Sequence, residues 1–444
     1  MPYKPPILPT LVINVTKSLR TALITALLAL TASTARAETS PEPPLSDQTV
    51  ERMTLEEIDG HAMEHAPQIT EAAERVGLAD AQMEGARIAL PDNPTLEGGI
   101  SNKFLGGYGL RKFEVGVSQS IEIAGQRRTR VASAERYREA LRAKVAAARW
   151  DVHQQIHVLY YRALVAERRV ELHREVAELA DKLETTTEQR KSAGEVGLVD
   201  LQVARAESAR ARESLVESRS KLEELSLRLA EVAGWRNERL LLPSEELPEV
   251  RTVPSADRLI ERALDHEPTL AAIEANRMRA KADLREAERA VWPNPTIGLA
   301  YEEEQRLGPD KEESLWIRLG FPLPIWQRNQ TRKATARTRT EIADRRLANR
   351  RQKLRTRIRR QVRDVNRAAE RANIFGEDVI PRFEEQSELL EKGFELGEMS
   401  MLDVYNARDR LLKVQRRALA AIGDYVRALG ALERSLGTEI WRER

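Results

Sequence analysis

The sequence predicts a mostly helical protein with a smaller β component. Its plan is a long antiparallel helical coiled coil, or α-barrel, carrying two β-hairpins, and that plan is written twice in one chain. Three observations predict it. Landmarks recur at spacings of 201–203 residues, the signature of an internal duplication. Helical stretches far longer than a globular core needs run without Pro or Gly. Two segments alternate apolar and polar residues over roughly ten positions on either side of a turn.

The repeat is read position by position. Pro91-Asp92-Asn93-Pro94-Thr95 returns as Trp292-Pro293-Asn294-Pro295-Thr296. His65-x-Pro67 and His266-x-Pro268 each precede the central Asn by 28 residues. Phe113-x-Val115-x-Val117 answers to Leu315-x-Ile317-x-Leu319. Gly194-Glu195-Val196-Gly197-Leu198-Val199-Asp200 answers to Gly397-Glu398-Met399-Ser400-Met401-Leu402-Asp403.

The N-terminus reads as a secretory signal peptide over residues 1–37. Lys4, Lys17 and Arg20 lead, Ala22 to Leu30 is a short apolar run, and Ala35-Arg36-Ala37 is a small-x-small cleavage site. The mature chain is expected to start at Glu38, with an extended, poorly ordered lead to residue 53. No other segment is long and apolar enough for a membrane-spanning helix, which leaves a transmembrane β-barrel open.

The first repeat spans 54–234. Thr54-x-x-Glu57 is a capping box that starts a short helix; Pro67 restarts the chain into a second helix to about Leu90. Strands are expected over Thr95–Phe104 and Arg111–Ile123, a hairpin with Gly106-Gly107-Tyr108-Gly109 as turn material. From Gln126 to about Ser192 there is neither Pro nor Gly, and apolar residues recur at helical spacing. At 1.5 Å per residue that is a helix of about 100 Å. After the turn at 194–199 a strict heptad begins, with Leu201, Ser208, Leu215, Leu222 and Leu229 on one seam and Ala204, Ala211, Ser218, Leu225 and Val232 on the other.

Residues 235–254 link the repeats. The second repeat, 255–437, again runs helix, hairpin (296–325), long helix, tip turn (397–402) and helix, leaving a tail at 438–444. Its seams are Val404, Leu411, Ala418, Tyr425, Leu432 and Ala407, Val414, Ala421, Ala428, Ser435. Pro381 is expected to kink the long helix. Trp292, Trp316 and Trp326, with Tyr301 and Phe321, are expected to mark the two edges of a membrane.

Composition narrows the function. Charged residues make up 32% of the chain, yet the net charge is only +2, which gives no case for nucleic acid. The basic run from Arg328 to Arg371, with 17 Lys or Arg against four acids, reads as a solvated helix face. The absence of cysteine excludes disulfides, thiolate metal sites and lipid attachment at an N-terminal cysteine. His61-Ala62-Met63-Glu64-His65 has the spacing of a zinc-peptidase signature, but no third ligand is visible and Pro67 follows at once. His153 and His157, also four apart on a helix, could share a metal, but read rather as polar positions on a wet helix face. No metal site, cofactor or catalytic residue is expected. There is no nucleophile elbow and no phosphate loop, which leaves an enzyme without support and a secreted coiled-coil scaffold as one reading.

Taken with Asn93-Pro94-Thr95, Ser118-Gln119-Ser120-Ile121-Glu122-Ile123-Ala124-Gly125-Gln126-Arg127 and Phe321-Pro322-Leu323-Pro324-Ile325-Trp326-Gln327-Arg328-Asn329, the chain resembles the TolC-like outer-membrane channel family. The likeness is to its metal-efflux branch, the outer component of cobalt–zinc–cadmium export systems, and it implies a passive exit duct for heavy-metal cations, with a channel for drugs or other small molecules as the alternative. The resemblance implies a homotrimer in the outer membrane of a Gram-negative bacterium, with four strands per chain in one shared barrel among outer-membrane lipid and a long periplasmic tube of helices. It implies a periplasmic adaptor (membrane fusion) protein and, through it, an inner-membrane RND-type pump. Val196-Gly197-Leu198 resembles the adaptor-docking turn, flanked by Gly194 and answered by Gly397 and Met399 in the second copy. Asp403 matches an aspartate that rings the closed entrance; Asn406 stands where the family has a second one, and Asp200 is the first-copy counterpart of Asp403.

Overall fold

The computed structural model describes residues 50–440 except 91, 106–107, 238, 306–310, 376–388, 391, 395 and 397. The signal peptide, the lead before residue 50, Pro381 and Gly397 lie outside the described residues.

The first repeat opens with strand β1 (Val50–Met53) and helix α1 (Leu55–His65). Thr54 caps α1 as its sequence requires. Its hydroxyl accepts from the Glu57 backbone N–H at 3.3 Å, and the Glu57 carboxylate accepts from the Thr54 N–H at 2.8 Å. Helix α2 (Pro67–Arg87) restarts at a proline in its first position, where the missing N–H costs nothing. Strands β2 (Thr95–Leu105) and β3 (Tyr108–Ser120) follow, then α3 (Gln126–Ser192) and α4 (Leu198–Ala233). Helix α3 is 67 residues long and unbroken, the span that the lack of Pro and Gly predicts. Both α2 and α4 pack along it.

The second repeat gives α5 (Ala256–His266), α6 (Pro268–Arg289), β5 (Thr296–Gln305), β6 (Lys311–Gly320), α7 (Gln330–Phe375) and α8 (Met401–Leu436). Equivalent cores form in the two copies. Leu55, Ile58 and Ala62 of α1 close on Ile156 and Tyr160 of α3 and Leu229 of α4. Leu259, Ile260 and Ala263 of α5 close on Leu354 and Ile358 of α7 and Leu432 of α8.

The end of the lead and part of the linker form strands. Residues 50–53 pair in parallel with β4 (Leu240–Pro243), from Val50↔Leu240 to Met53↔Pro243. A pairing between segments 190 residues apart leaves no local mark, and four-residue strands show too little alternation to be seen. The second strand of each hairpin also begins and ends earlier than expected, at 108–120 and 311–320 rather than 111–123 and 314–325. In the second hairpin the reason is chemical: Pro322 and Pro324 have no N–H to give to a ladder.

The two hairpins join into one antiparallel sheet of order β2-β3-β5-β6, because β3 pairs with β5 across the repeat.

Candidate functional site

Register divides the sheet into two unlike faces. Leu96, Val117, Leu299 and Ile317 stand opposite one another across all four strands, and so do Gly98, Val115, Tyr301 and Leu315. The flanking rows add Ile297 and Leu319 at one end and Ile100 and Phe113 at the other, where Glu303 and Glu313 close the apolar band. Four rows two residues apart cover about 20 Å along the strands at ~3.4 Å per residue, close to the height of a lipid-facing belt. These apolar side chains are exposed in the single chain, except Tyr301, which is half-buried. The opposite face carries Glu97, Glu114, Lys112, Ser118, Glu302, Glu304 and Arg318. Lys112 pairs with Glu302 at 2.8 Å, and Arg318 with Glu114.

Trp316 corrects one expectation. It sits mid-strand in the row of Glu97, Gly116 and Ala300, on the polar face rather than at a membrane edge. Strict alternation between Leu315 and Ile317 requires that placement. Trp292 and Trp326 lie outside the strands. The outer edges of β2 and β6 have no strand beside them among the described residues, so each presents a row of backbone donors and acceptors.

At the other end of the long helices the two tip turns meet. Gly194 takes the left-handed conformation, φ 80°, that lets α3 stop and the chain reverse. Arg190 reaches from the last turn of α3 to the Phe394 carbonyl at 3.2 Å and lies over the Phe394 ring at 5.0 Å. Leu179, Leu183, Ala204, Phe394, Val404 and Tyr405 form the core beneath. Outside that core, Leu198 and Val199 of the first turn are 59% and 74% exposed, and Leu396 and Leu402 of the second are 73% and 65% exposed. Val196 and Met399 are half-buried. Four large apolar side chains in water at one helical tip make a surface that suits a partner better than solvent.

The two aspartates hold matching caps. The Asp200 carboxylate accepts from the Gly197 N–H at 3.0 Å. Glycine has no hydroxyl to return the bond, so this is half a capping box. Asp403 has the full box: its Oδ2 accepts from the Ser400 N–H at 3.3 Å and the Ser400 hydroxyl at 2.5 Å, and the Asp403 N–H donates back to Ser400 Oγ at 3.2 Å. Asn406 lies one turn further along α8, exposed.

Sequence reasoning missed Arg408, two residues beyond Asn406. It is buried, pairs with Glu207 of α4 at 3.1 Å and lies over the Tyr405 ring at 4.9 Å. Burial pushes the guanidinium below its ordinary value and the Tyr405 phenol up to about 12. Nε and Nη1 of Arg408 make no hydrogen bond among the described residues. An arginine beside a coiled-coil seam reads as surface, and only the fold brings Glu207 to it.

The histidines also correct an expectation. His157 is 5% exposed and His153 half-buried, so α3 is not wet there. Burial pushes the His153 imidazolium down, but hydrogen bonds to Asp59 and Glu439 outweigh it and hold the pKa up to about 9. His61 stacks on His65 at 4.3 Å and meets the Trp235 ring edge-on at 4.7 Å; it fills a corner beside the end of α4.

Comparison with known proteins places these features together. A family model described as outer membrane efflux protein matches residues 60–235 and again 259–438. Over 321 residues the chain is 30% identical to the cobalt-zinc-cadmium resistance protein CzcC of Cupriavidus metallidurans, covering 71% of this chain and 75% of that protein. Among solved structures, the outer membrane protein VceC of Vibrio cholerae superposes with a TM-score of 0.62 at 16% identity, covering 86% of this chain and 96% of VceC. CusC, described as forming a transmembrane channel, superposes with a TM-score of 0.62 at 15% identity, over 88% and 94%. At these identities the two structures establish the fold.

Proposed function

The chain belongs to the outer membrane efflux protein family, and from that premise we propose that it is the exit duct of a tripartite efflux system. It resides in the outer membrane and acts as a passive channel, without catalysis. The observation that carries the reading is the four-stranded sheet with one apolar face and, among the described residues, no strand beside either edge. Four strands cannot close on themselves, since small barrels need about eight, and open edges are not tolerated in lipid. Three chains give twelve strands, an even and alternating set in which β6 of one chain meets β2 of the next. The apolar rows then face outer-membrane lipid, and the Lys112–Glu302 and Arg318–Glu114 pairs face the lumen.

The helices extend into the periplasm as a tube once residues 1–37 have been removed and the mature chain begins at Glu38. At its tip, Val196, Gly197, Leu198 and Met399, with Gly194 and Gly397 at the turns, dock a periplasmic adaptor, and the adaptor couples the tube to an inner-membrane RND-type pump. Asp403 narrows the resting entrance. In a trimer, three copies would face one another across the axis, with Asn406 supplying hydrogen bonds without charge and Asp200 tying the neighbouring helix start. Identity to a cobalt-zinc-cadmium resistance protein supports heavy-metal cations as the cargo.

Leu198→Asp tests the reading. Its side chain is exposed and packs little within the chain, so the variant should reach the membrane in normal amount yet lose metal tolerance in cells that depend on it. Unchanged tolerance at normal expression would overturn the docking role of the tip.

A further inference from the structure

One cluster of titratable side chains lies far in sequence from both the sheet and the tip turns. His153 and His157 stand one turn apart on α3, so both imidazoles share a face. Glu439, in the segment that follows α8, comes back against them. One ligand atom from each of the three lies within 4.8 Å of the other two. His153 Nε2 is 2.9 Å from Glu439 Oε1, and its Nδ1 is 2.9 Å from Asp59 Oδ1 on α1. The two rings lie 4.1 Å apart, and Trp150 stacks on His153 at 5.1 Å.

We propose that this cluster is a resident site for one borderline divalent cation of the zinc type, with His153 Nε2, His157 and Glu439 as its ligands. Two imidazoles and a carboxylate suit Zn²⁺, Co²⁺, Ni²⁺ or Cu²⁺ and do not suit Mg²⁺ or Ca²⁺, which take oxygen. Three protein ligands leave a fourth position for water. Asp59 supplies what a metal-binding histidine needs behind it: it accepts the Nδ1 proton, fixes the tautomer and turns Nε2 toward the cation. Charge also balances, since two carboxylates offset one divalent ion when both imidazoles are neutral.

The rearrangement is small. Bonds of ~2.0–2.1 Å around a tetrahedral ion set ligand atoms about 3.4 Å apart. The His153–Glu439 hydrogen bond opens, its Nε2 proton leaves to solvent and the cation takes its place between the two. Glu439 can follow because it lies outside the helix. Among the described residues the site occurs once per chain. At offsets of 202–203 the histidine positions fall on Arg355 or Thr356 and on Arg359 or Arg360 in the second copy. Bound there, the ion would pin the segment after α8 to α3 and α1, joining the end of the second repeat to the start of the first.

The full mature protein in detergent, stripped with a chelator, is titrated with Zn²⁺ by calorimetry and with Co²⁺ by visible absorption. One ion per chain is expected, with the strong d–d bands of four-coordinate cobalt and a rise in the thermal midpoint. Glu439→Gln keeps the size and a hydrogen bond while removing the anionic ligand, so it should fold normally and weaken binding at least tenfold. Asp59→Asn should weaken it by about 10- to 100-fold. Absence of saturable binding in the unaltered protein, or unchanged affinity in Glu439→Gln combined with His157→Ala, would overturn the proposal.

Discussion

Gly234 and Gly437 end α4 and α8 in the same way. Both are left-handed, φ 69° and 75°, and a Cβ on either would run into a backbone carbonyl, that of His65 in the first repeat and of His266 in the second. Each glycine thus sets the end of one helix against the break between two others, α1–α2 or α5–α6. The helices beside these joints differ sharply in charge. Helix α3 carries His153 and His157 against Asp59 and Glu439, whereas α7 carries Arg355, Arg357, Arg359 and Arg360, with Arg359 on Asp257 at 3.4 Å. Backbone devices that hold the duplicated frame have stayed the same between the copies. Side-chain chemistry differs where α1 and the segment after α8 come together on α3.

The hardest test of the shared frame is at the glycines. Gly234→Ala and Gly437→Ala each force a left-handed non-glycine residue and a steric overlap, for a combined loss of roughly 2–5 kcal/mol. Both variants should lower the thermal midpoint by similar amounts. A loss at one position alone would mean that the two joints do not bear equal load.

The caps at the tip should separate the copies. Asp403→Ala removes the acceptor of a full box and should cost ~1 kcal/mol. Asp200→Ala removes half a box and should cost less. Conductance in a planar bilayer reads the second role of Asp403: the small resting conductance should rise in Asp403→Ala and not in Asp200→Ala. If neither stability nor conductance distinguishes them, the copies are equivalent at the tip.

Much of this frame is legible in the sequence because it rests on local rules. Thr54-x-x-Glu57 spells its box, the absence of Pro and Gly spells α3, and the alternation of Phe113, Val115 and Val117 spells a strand. What is not legible depends on distant partners. Met53 and Pro243 show no sign of pairing, and Arg408 gives no sign of Glu207. His153 and His157 are visible as a pair, but Glu439 becomes their neighbour only when α8 has run its full length back along α3. The exposure of Leu198 and Leu402, by contrast, follows from their position in the first turn of α4 and of α8, outside the heptad seams.

The effect most dependent on pH concerns a third histidine of α3. Burial, and then the charges of Arg416 and Arg169, push the His173 pKa down to about 4 from an ordinary 6.5. The folded pKa lies below the unfolded one, so the unfolded chain binds more protons as pH falls from 6.5 toward 4, and stability declines through that window. In His173→Asn that part of the decline should disappear, which thermal unfolding at pH 7, 5.5 and 4.5 will show as a shallower slope.

The central claim is that sheets with open edges close by association, and the mass of the detergent-solubilised protein tests it directly. The account predicts a particle of three chains by native mass spectrometry, with monomer absent under mild conditions. A stable, folded single chain carrying the β2-β3-β5-β6 sheet with both edges open would contradict it.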